Sequence, residues 1–146
     1  MSAKTASWLD SSALLVLFLA ERGFETVRAL IAEAAKGRRE IHIAQISLAE
    51  IANSVCRDYD EATAREDIRL LRELAVTIDA PTDEQCVEAG LLRSHAKLST
   101  ADAIIAIQAM VAEAELVHKD PEFESIAGLK QRCLPYKSKP ARNRRR

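Results

Sequence analysis

Short apolar segments alternate with longer amphipathic segments along most of this 146-residue chain, and this alternation constrains the fold more than any other feature. Strands are predicted near residues 6–9, 40–44, 75–78, 115–117 and 129–134, and helices near residues 12–21, 25–36, 48–57, 61–74, 83–95 and 101–113. Strands that are joined by helices run parallel, because each helix carries the chain back across the sheet. The sequence therefore predicts an α/β fold, a three-layer α/β/α sandwich with a central parallel sheet.

Helical periodicity is clearest in the middle of the chain. Leu48, Ile51 and Val55 fall on one stripe of a predicted helix, as expected when one helix face packs on a core. The segment 103–112 is apolar apart from Gln108. A helix that is apolar on all sides is typical of a buried position, so we expect this segment to lie inside the molecule.

The charge is distributed unevenly along the chain. The last ten residues, KSKPARNRRR, hold six of the 21 lysines and arginines and no acid, so the rest of the chain has 15 basic and 22 acidic residues. We expect one folded domain over residues 1–134 and a basic, disordered tail over residues 135–146. An acidic body excludes a protein that binds nucleic acid through an all-over basic surface. A polyanion would have to be bound through metal ions or local basic patches.

The apolar run at residues 13–20 is not predicted to be a secretory signal or a membrane segment. Asp10 and several serines interrupt the approach to it, Glu21 follows directly, and the run is too short to span a bilayer. The three cysteines show no CxxC spacing and are typical of a reducing compartment. These features predict a cytoplasmic protein without a membrane segment.

Four carboxylates stand at junctions between predicted elements, at Asp10, Glu50, Asp102 and Asp120. In an open parallel sheet, the carboxyl ends of the strands and the amino ends of the following helices share one edge, where ligands bind. Four acids brought together there would repel one another, and hard divalent cations such as Mg²⁺ or Mn²⁺ relieve that repulsion. Such an ion beside a phosphodiester can activate a bound water for hydrolysis.

Helix capping is the structural alternative for each acid. Ser47-x-x-Glu50 matches the capping box, and Ser99-x-x-Asp102 matches its shorter variant with aspartate. Asp120 stands directly before Pro121, a pair typical of an N-cap followed by proline at the first helical position, and Asp10 could cap the helix predicted after it. If the last of the four acids only caps a helix, Glu122 and Glu124 are the next candidates for a fourth ligand.

Four motifs occur in order along the chain: WLDSSALL from residue 8, ISLAEIANSV from residue 46, LSTADAIIAIQAM from residue 98 and AELVHKDPEF from residue 114. With these motifs the sequence resembles PIN-domain ribonucleases, most of all the VapC-type toxins of toxin–antitoxin modules. The resemblance covers nearly the whole of residues 1–134, which would then be a PIN-like nuclease domain.

The resemblance implies a role for each motif. Asp10, Glu50, Asp102 and Asp120 would hold Mg²⁺ or Mn²⁺ and carry catalysis, and Ser12 would supply a hydroxyl to the site. The implied substrate is RNA, cleaved by a metal-activated water to leave a 5′-phosphate and a 3′-hydroxyl. The implied partners are a second copy of the chain, in a homodimer, and an antitoxin protein that blocks the site.

One position departs from the family pattern. Many members have threonine or serine two residues before the last acid, and this chain has His118. The sequence leaves two interpretations of His118. It either supports the site by contacting the substrate or is an inert residue at the end of a strand.

Two other functions remain open at this level. One is a PIN nuclease in RNA processing without an antitoxin, and the other is a catalytically silent PIN-like module that binds RNA or protein. The complete acidic set argues against the silent module, because a binding module has no need of four clustered carboxylates.

Two surfaces also have alternative explanations. Arg65, Arg69 and Arg72 share a face of the predicted helix 61–74, and the acids around them favour a salt-bridged surface over contacts to a phosphate backbone. The apolar residues of the segment 13–34 form either ordinary core or a surface for a dimer or an antitoxin.

Overall fold

The computed structural model describes residues 4–136. The described chain forms strands β1 Thr5–Leu9, β2 Arg39–Ala44, β3 Thr77–Asp79, β4 Glu115–His118 and β5 Gln131–Cys133. Its helices are α1 Ser11–Phe18, α2 Phe24–Ala35, α3 Ile46–Asp58, α4 Glu61–Glu73, α5 Asp83–Arg93 and α6 Thr100–Val111. Every predicted strand and helix is present, with its ends moved by a few residues. A short 3-10 helix, Pro121–Ser125, was not predicted from periodicity.

The strands form one sheet in the order β3-β2-β1-β4-β5. All neighbouring strands are parallel, which confirms the predicted central parallel sheet. The carboxyl ends of all five strands therefore lie at one edge. The first strand is central, so the residue that follows it, Asp10, stands in the middle of that edge.

The sheet separates two apolar cores. One contains Leu9, Ile43 and Ile51, and the other contains Trp8 and Leu116. Successive residues of β1 thus enter opposite cores, as the alternation of side chains along a strand requires. Helices α1 to α4 contribute to the first core and helices α5 and α6 to the second, which confirms the three layers.

The apolar segment 13–34 belongs mainly to the first core. Ala13, Leu14, Val16, Val27 and Leu30 are all buried in the monomer. Of the two explanations for this segment, the structure confirms ordinary core for these five side chains.

Within residues 4–136, no helix combines the length and the apolar character that crossing a bilayer requires. Leu134, the last residue of the predicted domain, is buried in the first core. The predicted basic tail lies outside the described residues from position 137 onward.

Candidate metal centre

Five carboxylates meet at the carboxyl edge of the sheet. Asp10, Glu50 and Asp102 each offer an oxygen, and these oxygens lie within 4.8 Å of one another. Asp102 forms a second group of the same size with Asp120 and Glu122. The structure thus brings the four predicted acids to the same edge of the sheet. Asp102 belongs to both groups, and Glu122 is a fifth acid that was not among the four.

Asp10 lies between β1 and α1 and is 2% exposed. Its Oδ2 accepts the backbone N–H of Ser12 at 3.1 Å and also the Ser12 hydroxyl, so Asp10 caps α1 as the structural alternative predicts. Ser12 Oγ in turn accepts the backbone N–H of Lys119 at 2.9 Å, which joins this loop to the end of β4. The second oxygen, Asp10 Oδ1, is buried and has no hydrogen-bond partner among residues 4–136. One oxygen therefore caps the helix, and the other remains available for a ligand.

Glu50 lies in α3 and is half-buried. Its Oε1 accepts the Ser11 hydroxyl at 3.1 Å. The predicted capping box with Ser47 is wrong, because α3 begins at Ile46 and Ser47 is already inside the helix. At this earlier start the N–H of Gln45 donates to the carbonyl of Asp79 in β3 at 2.9 Å, a tertiary contact that a local pattern does not show.

Asp102 lies in the first turn of α6 and is 8% exposed. Ser99 caps this helix by accepting the N–H of Asp102 at 3.1 Å, so the predicted N-cap is confirmed. The cap places the first turn of α6, with its acid, at the carboxyl edge of the sheet.

Asp120 follows β4 and caps the 3-10 helix that begins at Pro121. Its Oδ1 accepts the N–H of Glu122 at 3.0 Å, which confirms the predicted N-cap. The same turn brings Glu122 to the site. Glu124, the other reserve candidate, is engaged elsewhere, since it accepts the hydroxyl of Tyr136 at 2.7 Å.

The electrostatics show that these acids are costly to ionise. Burial raises the pKa of Asp10 to about 6. Hydrogen bonds from Ser12 lower this pKa, and the negative charges of Glu50 and Asp120 raise it further. Burial, followed by the charges of Asp10 and Asp120, raises the pKa of Asp102 to about 7. The pKa of Glu50 is also raised, first by burial and then by Asp102 and Asp120. Burial and mutual repulsion thus act in the same direction on all three groups.

The donor set fits a hard divalent cation. It consists of carboxylate oxygens, which Mg²⁺ and Mn²⁺ prefer, and contains no thiolate or imidazole. A buried acceptor without a partner costs about 1–3 kcal/mol, so the unpaired Asp10 Oδ1 is a further sign that a ligand belongs here. The residues that would hold the ion are Asp10, Glu50 and Asp102, with Asp120 and Glu122 beside them.

His118 is the last residue of β4 and is 0% exposed. A side chain that is fully enclosed cannot contact a substrate in this conformation. Its ring lies against Phe123 of the 3-10 helix, with the ring centroids 5.0 Å apart. It therefore contacts the turn that carries Asp120.

Of the three arginines on this face of α4, Arg65 and Arg69 form the predicted salt bridges. Arg65 pairs with Glu61 at 2.7 Å, and Arg69 pairs with both Glu66 and Glu73 at 2.6 Å. A groove of about 760 Å³ beside α3 is lined by Glu61, Arg65, Arg69 and Glu73 of this surface.

Several solved structures with a similar fold are described as belonging to toxin–antitoxin systems. A chain of the Rickettsia felis VapBC2 complex, bound to a promoter DNA fragment, has a TM-score of 0.73 at 18% identity and covers 90% of this chain and 100% of its own. A chain of Haemophilus influenzae VapBC-1 has a TM-score of 0.66 at 20% identity, covering 88% and 98%. Mycobacterium tuberculosis VapC20, described as a toxin that cleaves the sarcin–ricin loop, has a TM-score of 0.67 at 15% identity, covering 85% and 98%. Similarity at these identities shows a shared fold.

Comparison of the sequence with protein families gives the family itself. No curated protein matches the sequence significantly. A model of the PIN domain family, however, matches residues 8–129, from the last two residues of β1 to the segment before β5, and so includes all five acids of the site. The chain therefore belongs to the PIN domain family.

Proposed function

We propose that this protein is an endoribonuclease that depends on Mg²⁺ or Mn²⁺ and acts as the toxin of a toxin–antitoxin pair. The observation that carries the proposal is the clustering of Asp10, Glu50 and Asp102, whose oxygens lie within 4.8 Å of one another. One of these carboxylates has a buried oxygen without a partner in the described chain. A catalytically silent binding module would gain nothing from this costly arrangement.

Each residue of the site has a definite task in this proposal. Asp10, Glu50 and Asp102 would hold the cation, Asp120 would complete the set through its group with Asp102, and Glu122 would support them. The cation, when bound, activates a water and neutralises charge that develops on the phosphate. Ser12 fixes Asp10 by donating to its Oδ2 and links it to β4 through the N–H of Lys119. Ser11 fixes Glu50.

RNA as the substrate and an antitoxin as the partner are supported by the similar structures. VapC20 is described as cleaving the sarcin–ricin loop, and several other similar chains come from VapBC complexes. We place the antitoxin over the acidic edge, where it would block the site, and we propose that the toxin is a cytoplasmic homodimer. The competing function is RNA processing without an antitoxin. A small antitoxin-like reading frame directly upstream of the coding sequence would separate the two.

The test of the proposed chemistry is cleavage of RNA with and without divalent cations. We expect cleavage with Mg²⁺ or Mn²⁺, none in excess EDTA, and recovery when Mn²⁺ is added back. Asp102→Asn, purified in the same way, measures any contaminating nuclease. Cleavage that persists in EDTA, or that is as fast in this variant as in the wild type, would falsify the metal mechanism.

A further inference from the structure

A chain of hydrogen bonds through His118 and Gln131 holds the turn that carries Asp120 at two points. The ring Nδ1 of His118 accepts the backbone N–H of Asp120, with a separation of 3.2 Å. The ring Nε2 is 2.9 Å from Gln131 Oε1. Gln131 Nε2 then donates to the carbonyl of Phe123 at 3.2 Å. The two side chains thus bind the turn at its first residue and again three residues later.

The direction of each hydrogen bond in this chain is fixed. A backbone N–H can only donate, so Nδ1 of His118 must be the unprotonated acceptor, and the proton of the neutral ring lies on Nε2. Nε2 therefore donates to Gln131 Oε1, and this orients the amide of Gln131 with its nitrogen towards Phe123. Both ring nitrogens and both amide atoms are used, and no other arrangement of the protons satisfies all three bonds.

Packing holds the same chain in place. His118 is fully buried and its ring contacts Phe123, which is also fully buried. The backbone of His118 is fixed as well, since its carbonyl accepts the N–H of Leu134 at 2.7 Å. The two side chains therefore form a rigid support below the turn.

The turn carries two of the carboxylates at the site. Asp102, Asp120 and Glu122 each offer one carboxylate oxygen, and these three oxygens lie within 4.8 Å of one another. We propose that His118 and Gln131 are positioning residues that set the place of Asp120 and Glu122 at the cation. This inference rests on the proposed function, because it assigns the support of that same site.

Two substitutions at one position separate positioning from packing. In His118→Asn the side-chain oxygen takes the place of Nδ1 and can still accept the N–H of Asp120, but the bond to Gln131 is lost. In His118→Gln the amide nitrogen takes the place of Nε2 and can still donate to Gln131, but the N–H of Asp120 loses its acceptor. Each variant loses the ring and one hydrogen bond, so their stabilities should fall by similar amounts.

The first measurement is the affinity of the purified, metal-free protein for Mn²⁺ by calorimetry, with the Mn²⁺-induced rise in melting temperature as a second readout. We expect His118→Gln to bind Mn²⁺ about 10- to 100-fold more weakly, the usual loss when a group that orients a metal ligand is removed. We expect a smaller loss in His118→Asn, because this variant keeps the acceptor for the N–H of Asp120 and loses only the bond that orients Gln131.

The second measurement separates metal from RNA binding in the cleavage reaction. His118→Gln should need more Mn²⁺ for half-maximal activity, while its KM for RNA at saturating Mn²⁺ stays near the wild-type value. A residue that only stabilises the fold would change neither constant at a temperature well below melting.

A pair of variants in β5 covers the case in which both changes at His118 prevent folding. Gln131→Met removes the bond to Phe123 from a position that is only partly buried. Arg132→Met removes the neighbouring ion pair with Glu115 at 2.9 Å, which does not touch the turn. We expect weaker Mn²⁺ binding in Gln131→Met and unchanged binding in Arg132→Met.

The outcomes distinguish this inference from the function on which it rests. If the wild type neither binds Mn²⁺ nor cleaves RNA, the proposed function fails and the positioning role fails with it. If the wild type does both, equal Mn²⁺ affinity in His118→Gln and His118→Asn overturns the positioning role alone, as does unchanged affinity in Gln131→Met.

Discussion

Asp10 and Asp60 both cap α-helices, and they differ in their surroundings. Asp60 is exposed and accepts the N–H of Thr63 at 2.6 Å at the start of α4. Asp10 accepts the N–H of Ser12 at the start of α1 but is buried, with its other oxygen unpaired among the described residues. Hydrogen bonds from Thr63 lower the pKa of Asp60, whereas burial raises the pKa of Asp10 to about 6.

The comparison shows that capping and function are not alternatives for one residue. A carboxylate has two oxygens, and a cap needs only one of them. What separates the two aspartates is the surroundings: water reaches Asp60, while Glu50 and Asp102 crowd Asp10. The ionised carboxylate is stabilised at Asp60 and destabilised at Asp10. Of these two aspartates, therefore, Asp10 is the one at which a cation would relieve repulsion between carboxylates.

The largest expected effect is on RNA cleavage, and it is measured by making the same aspartate-to-asparagine change at Asp10 and at Asp60. Asparagine caps a helix about as well as aspartate, so Asp10→Asn and Asp60→Asn should both fold normally. We expect RNA cleavage to fall by about 100-fold or more in Asp10→Asn, as when one electrostatic group of an active site is removed. Cleavage in Asp60→Asn should equal the wild type. Equal rates in the two variants would make Asp10 an ordinary cap.

A second prediction concerns the Asp120 cap and its interaction with the metal. Asp120→Asn keeps the cap and removes a repelling charge, so the metal-free variant should melt at the wild-type temperature or above. Excess Mn²⁺ stabilises a protein that binds it by about 2.7 kcal/mol at a hundredfold excess over Kd. The rise in melting temperature with Mn²⁺ should be much smaller in this variant. A full rise together with full activity would assign Asp120 to capping alone.

The pH dependence of the metal-free protein should reveal the same contrast. The pKa values of Asp10 and Asp102 are raised to about 6 and about 7 in the folded protein, from 3.8. Stability from these groups is therefore fully present below about pH 4 and is lost as the pH rises through 6 to 7. The lowered pKa of Asp60 acts in the opposite sense, since its contribution is lost on acidification.

Melting curves in EDTA between about pH 5 and pH 8 measure this effect. Asp102→Asn is the reference, because it lacks one of the two groups that titrate in that range. We expect the wild type to lose more stability than this variant as the pH rises. The same slope in both proteins would mean that Asp102 ionises without cost in the folded state. Mn²⁺ binding should strengthen over the same range, because the cation competes with protons for the carboxylates.

The smallest expected effect compares two serines. Ser99 is the N-cap of α6, so Ser99→Ala should destabilise the protein by about 0.5–2 kcal/mol. Ser47 lies inside α3, buried and without a hydroxyl partner in the described chain, so Ser47→Ala should be neutral or stabilising. Urea unfolding of the two variants measures the difference. A similar loss in both would restore Ser47 to the capping role that its spacing suggested.

Much of the fold was accessible from local patterns. The alternation of strands and helices and their short connections predict parallel strands, and parallel strands place Asp10, Glu50, Asp102 and Asp120 at one edge. The N-cap at Asp120 was accessible too, from the Asp-Pro pair. These features follow from side-chain periodicity and from backbone geometry, both of which extend over only a few residues.

The sequence by itself thus determined the layers of this protein, the direction of its strands and the edge at which its acids stand. The tertiary structure alone decided which serine caps a helix, which oxygen of Asp10 stays unpaired and what His118 does. These depend on contacts between distant positions, such as Gln45 with Asp79 and His118 with Gln131. A local pattern shows that a residue can make a hydrogen bond, but only the packed chain shows which partner reaches it and whether water is excluded.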